Sequence, residues 1–364
     1  MYKEGGGQMT VDSFIINHLN MSMPKDHPFV YSLFGVQYPG DSPNEKQQSL
    51  IDRLDQLITP SAKHVDRIIQ DGISTGISGG NTRIWLGYWT SKADFNAWWQ
   101  QPDTVAFWAS LPPDAGVWRE IVTVSPSRTQ FNTSAKSQVG QGHLGASTDH
   151  GTKVGYWGCY RDRMEDSSPT ERFQSSLSET PEPRRAKTTD TVREGRLRLT
   201  HFPDNLCFVV EGQDRTGMTD EERAHWFEKL DGPVEQWMKD LENAGPEKGV
   251  LDARMCYDPD SDIVRDKPPV HRRFARTIQL FYFRDLAAME LIGKTNSGHV
   301  GLRMNFMKPY GPRGPLFEKG NMVLWVETSV VRAQDIDCEY VGCVEGTGFL
   351  AYDYHAAFKD EAKL

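Results

Sequence analysis

Arg83–Trp89 reads RIWLGYW and Arg276–Phe283 reads RTIQLFYF, and the likeness of these two stretches decides the fold. Each is a short run of apolar, aromatic and β-branched residues, the mark of a buried strand. Ile84, Leu86, Tyr88 and Trp89 align with Ile278, Leu280, Tyr282 and Phe283 at one constant offset. Working outward from the first copy, Phe29–Tyr38 (FVYSLFGVQY) is a strand candidate. Ser42-Pro43-Asn44-Glu45 then predicts a helix start, with Ser42 as cap, Pro43 in the first turn and Glu45 closing a capping box. Leu50, Ile51, Leu54, Leu57 and Ile58 make its apolar face. A strand is expected near His64–Ile69, with Gly72, Gly76, Gly79 and Gly80 breaking the chain before Arg83. After Trp89 an aromatic-rich helix spans about Ala93–Trp108, interrupted by Pro102, and Val117–Val124 closes the set. The order is β-α-β-β-α-β, a ferredoxin-like unit.

The same order surrounds the second copy. Asn205–Gln213 is a predicted strand, and Thr219-Asp220-Glu221-Glu222 a capping box that opens a helix to about Asn243, bent at Gly232-Pro233. Val250–Tyr257 and Arg276–Phe283 are strands, Leu286 to about Val300 is helical, and Met322–Val331 closes the unit. Trp118-Arg119-Glu120 corresponds to Trp325-Val326-Glu327. The fold class is therefore α+β, with duplicated ferredoxin-like halves whose sheets pack face to face or close into a barrel. Residues 1–28 form an N-terminal extension, 29–150 the first half and 151–364 the second, within one structural unit. The polar stretch Arg161–Arg196 reads as a long surface loop, and Met307–Gly320 as an insertion before the last strand.

Composition narrows the function. With 41 Lys+Arg against 50 Asp+Glu and no basic stripe, nucleic acid is not expected as a partner. No run reaches the ~18 apolar residues a membrane span needs. Met1–Thr10 has no signal-peptide character, and the five cysteines, an odd number without zinc spacing, suit free thiols in the cytoplasm. The absence of a Cys-x-x-Cys-His run means that any haem is held without covalent attachment.

Several segments resemble the haem-containing aldoxime dehydratase family. They are Lys63-His64-Val65-Asp66-Arg67, the Ile84–Trp89 strand with its Trp-rich helix, and Tyr156-Trp157-Gly158-Cys159-Tyr160-Arg161-Asp162-Arg163-Met164, the most specific of them. Asp204-Asn205-Leu206-Cys207, Leu324–Val330 and Thr347-Gly348-Phe349-Leu350 continue the series in the same order, from about Phe29 to Tyr354. The resemblance implies a dimeric α+β barrel with haem b in the second half and a small aldoxime or other N–O compound as substrate. It implies conversion of R–CH=N–OH to R–C≡N and water at ferrous haem. A distal hydroxyl and an arginine would bind the oxime oxygen, and a distal histidine would protonate it.

Residue by residue, His299 in Asn296-Ser297-Gly298-His299 stands where the resemblance places the iron's proximal ligand. The repeat offset puts Val105 opposite it, so an apolar helix position has become histidine in one copy. Neutral imidazole on a buried helix face is a standard axial ligand. Arg161 and Arg163, placed on one strand face, are the distal guanidinium candidates, with Arg163 preferred. His64 is a candidate contact to the haem edge, against a structural role. Where the family has Trp-His-Glu, this chain has Trp325-Val326-Glu327, so Val326 occupies the distal histidine's place beside the cofactor. Where the family tends to have a hydroxyl, alignment gives Glu211, with Thr216 as the alternative. Three accounts stay open: Glu211 is a relocated acid, the pocket performs different N–O, N–N or peroxidase-like chemistry, or the protein binds haem and a ligand without turnover.

Overall fold

The computed structural model describes residues 19–23, 26–74, 80–135, 137–149, 160–184, 189–311, 314–317 and 319–359. Gly76, Gly79 and the Tyr156–Cys159 part of the most specific motif lie outside them. A strand, β1 (Leu19–Ser22), falls inside the segment expected to be an extension. The first unit runs β2 (Phe29–Tyr38), α1 (Glu45–Ile58), β3 (His64–Gln70), β4 (Asn81–Trp89), α2 (Lys92–Trp99), α3 (Pro102–Ser110) and β5 (Val117–Val124). Then come β6 (Thr129–Thr133), β7 (Ala146–Asp149), the one-turn helix α4 (Tyr160–Arg163) and β8 (Val192–Leu199). The second unit comprises β9 (Leu206–Asp214), α5 (Asp220–His225), α6 (Asp231–Glu242), β10 (Val250–Tyr257), β11 (Arg276–Phe283), α7 (Leu286–Thr295), α8 (Ser297–Tyr310) and β12 (Val323–Val331), followed by β13 (Ile336–Val344).

Among the described residues thirteen strands join one antiparallel sheet, in the order β7-β1-β6-β12-β9-β11-β10-β3-β4-β2-β5-β13-β8. The strands of both units, expected to pack as face-to-face sheets or to close into a barrel, are thus hydrogen-bonded in one continuous sheet. Each unit supplies four adjacent strands in the same order, second-third-first-fourth. The junction is short, Ile69 and Gln70 of β3 pairing with Tyr257 and Cys256 of β10. Beyond the four strands the units exchange edges: β6, which follows β5, pairs with β12, while β13, which follows β12, pairs with β5. Such an exchange ties the two units together as no linker could.

The packing repeats too. A Cβ on Gly35 would stand 2.1 Å from Trp118 Cε2, and one on Gly212 would stand 2.0 Å from Trp325 Cε2. In each unit a tryptophan on the fourth strand lies flat on a glycine of the first, and only hydrogen fits beneath it. Inward-facing residues of both units, among them Tyr31, Tyr88, Phe208, Tyr282 and Trp325, form one shared core. The outer faces carry separate helical layers. In the first unit α1, α2 and α3 are filled by Trp98, Trp108, Phe34 and partly buried Trp99. In the second, α6, α7 and α8 cover Val209, Phe281 and Val326.

Several local expectations change. Helix α1 is capped by Asn44, not Ser42: its side chain accepts from Gln47 N at 3.0 Å and Gln47 Oε1 accepts from Asn44 N at 2.9 Å. Asn caps as well as Ser, and Pro43 then stays outside the helix. Thr219 does cap α5, accepting from Glu222 N, but Glu222 does not close the box. Its buried carboxylate instead accepts from Tyr310 Oη and from the N–H groups of Asn321 and Met322, which pins the insertion before β12. The bend of the long helix comes from a π-turn at Trp226–Leu230, where Asp231 N donates to Trp226 O, just ahead of Pro233. The stretch read as a surface loop begins with α4, ends in β8 and buries Phe173 completely beneath the Arg128 guanidinium. Among the described residues no helix is long and apolar enough to cross a membrane.

Candidate functional site

Helix α7 lies on the outer face of β9 and β11, α6 packs on β10 and α8 on both of these helices, and a crevice opens between them. Its free space, mouth included, is about 560 Å³. Phe281, Phe283, Met289 and Ile292 give it apolar walls, and Tyr160, Glu211, Trp237, His299 and Arg303 supply aromatic and polar groups.

His299 is not near the end of a helix as expected. It is the third residue of α8, because Asn296 ends α7 and caps α8 at once: its N–H donates to Ile292 O, and its side chain accepts from His299 N at 2.8 Å. Asparagine competes in this way with continued helix wherever its side chain reaches the next turn. The α2/α3 break at Pro102 falls at the position corresponding to Asn296, so the split is common to both units. Val105, however, is 50 % exposed, so the residue corresponding to His299 is a surface one and not a buried apolar one. The His299 ring stacks on Trp237 with centroids 4.2 Å apart and planes 21° apart. Its Nδ1 lies 2.8 Å from the Gly293 carbonyl. A carbonyl only accepts, so Nδ1 carries the proton and the neutral ring's lone pair is on Nε2. Burial, opposed by the Gly293 bond and aided by Arg303, holds the imidazole below its usual range and keeps it neutral.

Glu211 and Val326 are paired directly opposite each other across β9 and β12, so both side chains leave the sheet on the crevice face. Val326 is buried in the apolar layer under the helices. Burial alone pushes the Glu211 carboxyl up to about 7. Tyr160 stands beside it: burial, then the Glu211 charge, raise its hydroxyl well above the tyrosine range against the pull of Arg163 and Arg303. Glu327, next to Val326, faces the other way into the shared core. There it accepts from Tyr31 Oη at 2.8 Å, Tyr88 Oη at 3.0 Å and Gln141 N at 3.0 Å. Burial outweighs these donors and leaves its carboxyl at about 8.

The arginines expected on a strand face occupy the one-turn helix α4, so strand alternation does not relate them. Arg161 is buried, pairs through Nε with Glu290 at 3.0 Å and donates to Arg172 O, which fastens α4 to α7. Arg163 donates from Nη1 to Gln130 Oε1 at 2.8 Å and acts on Tyr160. Thr216 is exposed in the turn after β9, where its N–H donates to Asp214, and it does not line the crevice. His64 lies in the first unit, its Nε2 3.0 Å from Asp66 Oδ1 and its ring stacked on His143 at 3.7 Å. It is likewise absent from the crevice lining. Sequence reasoning missed Tyr160, Trp237 and Arg303. Tyr160 lies within the most specific motif, and Arg303 stands one helical turn beyond His299 on the same face, whereas Trp237 carried no signal.

A crevice with one oriented neutral imidazole, aromatic walls and a raised carboxyl is chemistry suited to a planar, iron-bearing group. Residues 32–349 match the model of the haem-containing dehydratases. The chain belongs to that family. Its cofactor is accordingly haem b, and it is a haem-dependent dehydratase by descent. This family member is 26 % identical over 300 residues to a phenylacetaldoxime dehydratase of Bacillus sp. (strain OxB-1), covering 80 % of this chain and 78 % of that one. It is 24 % identical over 335 residues to an aliphatic aldoxime dehydratase of Rhodococcus globerulus, covering 89 % and 87 %. A crystal structure of an aldoxime dehydratase in complex with butyraldoxime superposes with a TM-score of 0.74 at 19 % identity, over 92 % of this chain and 88 % of that one. The donor set here fits a haem: Nδ1 of His299 is held by a backbone carbonyl, the arrangement that orients a ligating histidine through its other nitrogen.

Proposed function

We propose that this chain dehydrates an aldoxime, or a related N–O substrate, to a nitrile and water. In this reading His299 is the iron's protein ligand and Glu211 is the acid, in place of the distal histidine position now held by Val326. The register of β9 on β12 carries the proposal, because it aims a carboxyl into the crevice from the position facing residue 326. Haem held by His299 would supply iron-centred electron donation to the oxime. The protein's share is proton transfer and positioning. With its carboxyl raised to about 7, Glu211 retains its proton near neutral pH and gives it to the oxime oxygen as the N–O bond breaks. The proton then lost from the aldoxime carbon restores the carboxyl, so R–CH=N–OH yields R–C≡N and H₂O with no net change in the protein. Arg163, which donates to Gln130 and whose charge reaches Tyr160 at the crevice, is the guanidinium assigned to the oxime oxygen; Arg161 is buried in its pair with Glu290. Phe281, Phe283 and Met289 suit an apolar aryl or alkyl substituent and exclude water.

The same reading takes the chain as two ferredoxin-like copies, on the strength of their identical strand orders and repeated glycine–tryptophan contacts. It takes the working form as a homodimer, by family analogy alone, and its place as the cytoplasm, where buried free thiols such as Cys207, Cys256, Cys338 and Cys343 stay reduced.

The test is anaerobic. Haem-loaded protein is reduced with dithionite, phenylacetaldoxime is added, and nitrile is assayed by chromatography. Turnover well above that of free haem supports the proposal. The valine at position 326 favours a second reading, haem and ligand binding without dehydration; a perturbed haem spectrum with no nitrile is its signature.

A further inference from the structure

Away from the crevice, the π-turn that joins α5 to α6 presents the indole of Trp226 to two buried arginines. The guanidinium carbons of Arg215 and Arg272 lie 5.6 and 5.9 Å from the Trp226 ring centroid. Both arginines are 1 % exposed. Arg272 Nη2 donates to Asp231 Oδ1 at 2.8 Å, but Asp231 is shared with Arg265, which also holds Glu235. Arg215 reaches only backbone carbonyls, those of Ala275, Arg272 and Phe274, and makes no ion pair among the described residues. Asp214 is the next carboxylate near it, and acts on it less than Arg272, Asp231 and Arg265 do.

Among the described residues, Arg215 Nη1, Arg272 Nε, Arg272 Nη1 and Trp226 Nε1 in this cluster have no acceptor. A buried guanidinium without a counter-charge is strongly disfavoured, and so is each buried N–H without a partner. One ligand answers both deficits. π-Turns recur at functional sites because they displace a side chain from its helical position, here an indole donor toward the two cations.

We infer that Arg215, Trp226 and Arg272 form a binding site for a small oxyanion, a phosphate or a carboxylate. Guanidinium groups match such oxygens with parallel N–H donors, and the indole N–H adds a third direction. The site bears on the crevice through one rigid element. Helix α6 follows the π-turn directly and carries Trp237, on which the His299 ring rests. An anion that fixes the π-turn therefore steadies the surface behind that imidazole.

Two sources offer the same chemistry, a free anion such as inorganic phosphate and the carboxylate side chains of haem itself. The experiment compares the haem-loaded protein in phosphate and in chloride at matched ionic strength, with Arg272→Met and Trp226→Phe alongside. A free-anion site raises Tm with phosphate and not with chloride, and the shift grows with concentration and is lost in R272M. A site for haem carboxylates shows no phosphate effect, but R272M and W226F release haem to apomyoglobin at least several-fold faster than the parent protein. Far-UV circular dichroism confirms that the variants fold, and W226F keeps the packing while removing one donor. Equal Tm in both salts together with unchanged haem release overturns the inference. The phosphate arm does not depend on catalysis, so its result stands apart from any failure of the dehydratase reading.

Discussion

Glu211 on β9 and Val326 on β12 are direct cross-strand partners, so the carboxyl of one and the isopropyl group of the other share a single face of the sheet. On the proposed reading, the proton donor expected at position 326 stands one strand away, at Glu211. The pairing also makes the chemistry accessible to simple substitutions.

Glu211→Gln should lower nitrile formation by about 10²–10⁴, the range for loss of one positioned acid. Parent activity should fall as pH rises through about 7, where the carboxyl loses its proton, and the residual E211Q activity should not follow that limb. Equal rates and pH profiles would remove Glu211 from the mechanism.

Stability should carry the same signature. Folded Glu211 keeps its proton up to about 7, whereas unfolded glutamate releases it near 4.5. The folded state binds more protons between these values, so stability is full below 4.5 and declines as pH rises through 7. E211Q, uncharged throughout, should gain on the parent across that window and hold its gain above it, as read by urea unfolding at several pH values.

Val326→His should restore a proton donor to the face that Glu211 serves. The double variant E211Q/V326H should recover at least tenfold of the activity lost in E211Q. Anaerobic nitrile assays of the four proteins of this cycle measure the coupling directly. Strict additivity would mean that the two positions do not share one task.

His299→Ala should abolish tight haem binding or move the Soret band, because no second histidine lines the crevice among the described residues. Haem titration followed by absorption spectroscopy checks this. Full occupancy with an unchanged Soret band would rule His299 out as the ligand.

The two arginines of α4 should separate. Arg161→Met strands Glu290 in a buried setting and should cost about 3–5 kcal/mol of stability. Arg163→Met should keep the fold and lower kcat/KM by about 10²–10³, the effect of removing one donor from a developing charge. Chemical unfolding beside steady-state kinetics distinguishes the two patterns.

The sequence by itself determined the two strand–helix units and their order. Alternation, capping residues and the constant offset between RIWLGYW and its counterpart are local properties, written in neighbouring residues. It also singled out His299, Glu211 and Val326 as positions of interest. Tertiary structure alone decided how these positions meet. The exchange of β6 and β13 between units, the pairing of Glu211 with Val326, and the stacking of Trp237 on His299 join residues far apart in the chain. No local pattern encodes them. Arg161 and Arg163 show the same limit in reverse: a strand reading gave them a common face, whereas a one-turn helix closed by packing sends one to Glu290 and the other to Gln130. Propensity over four residues is weaker than a buried ion pair, and so the long-range contact set the local structure.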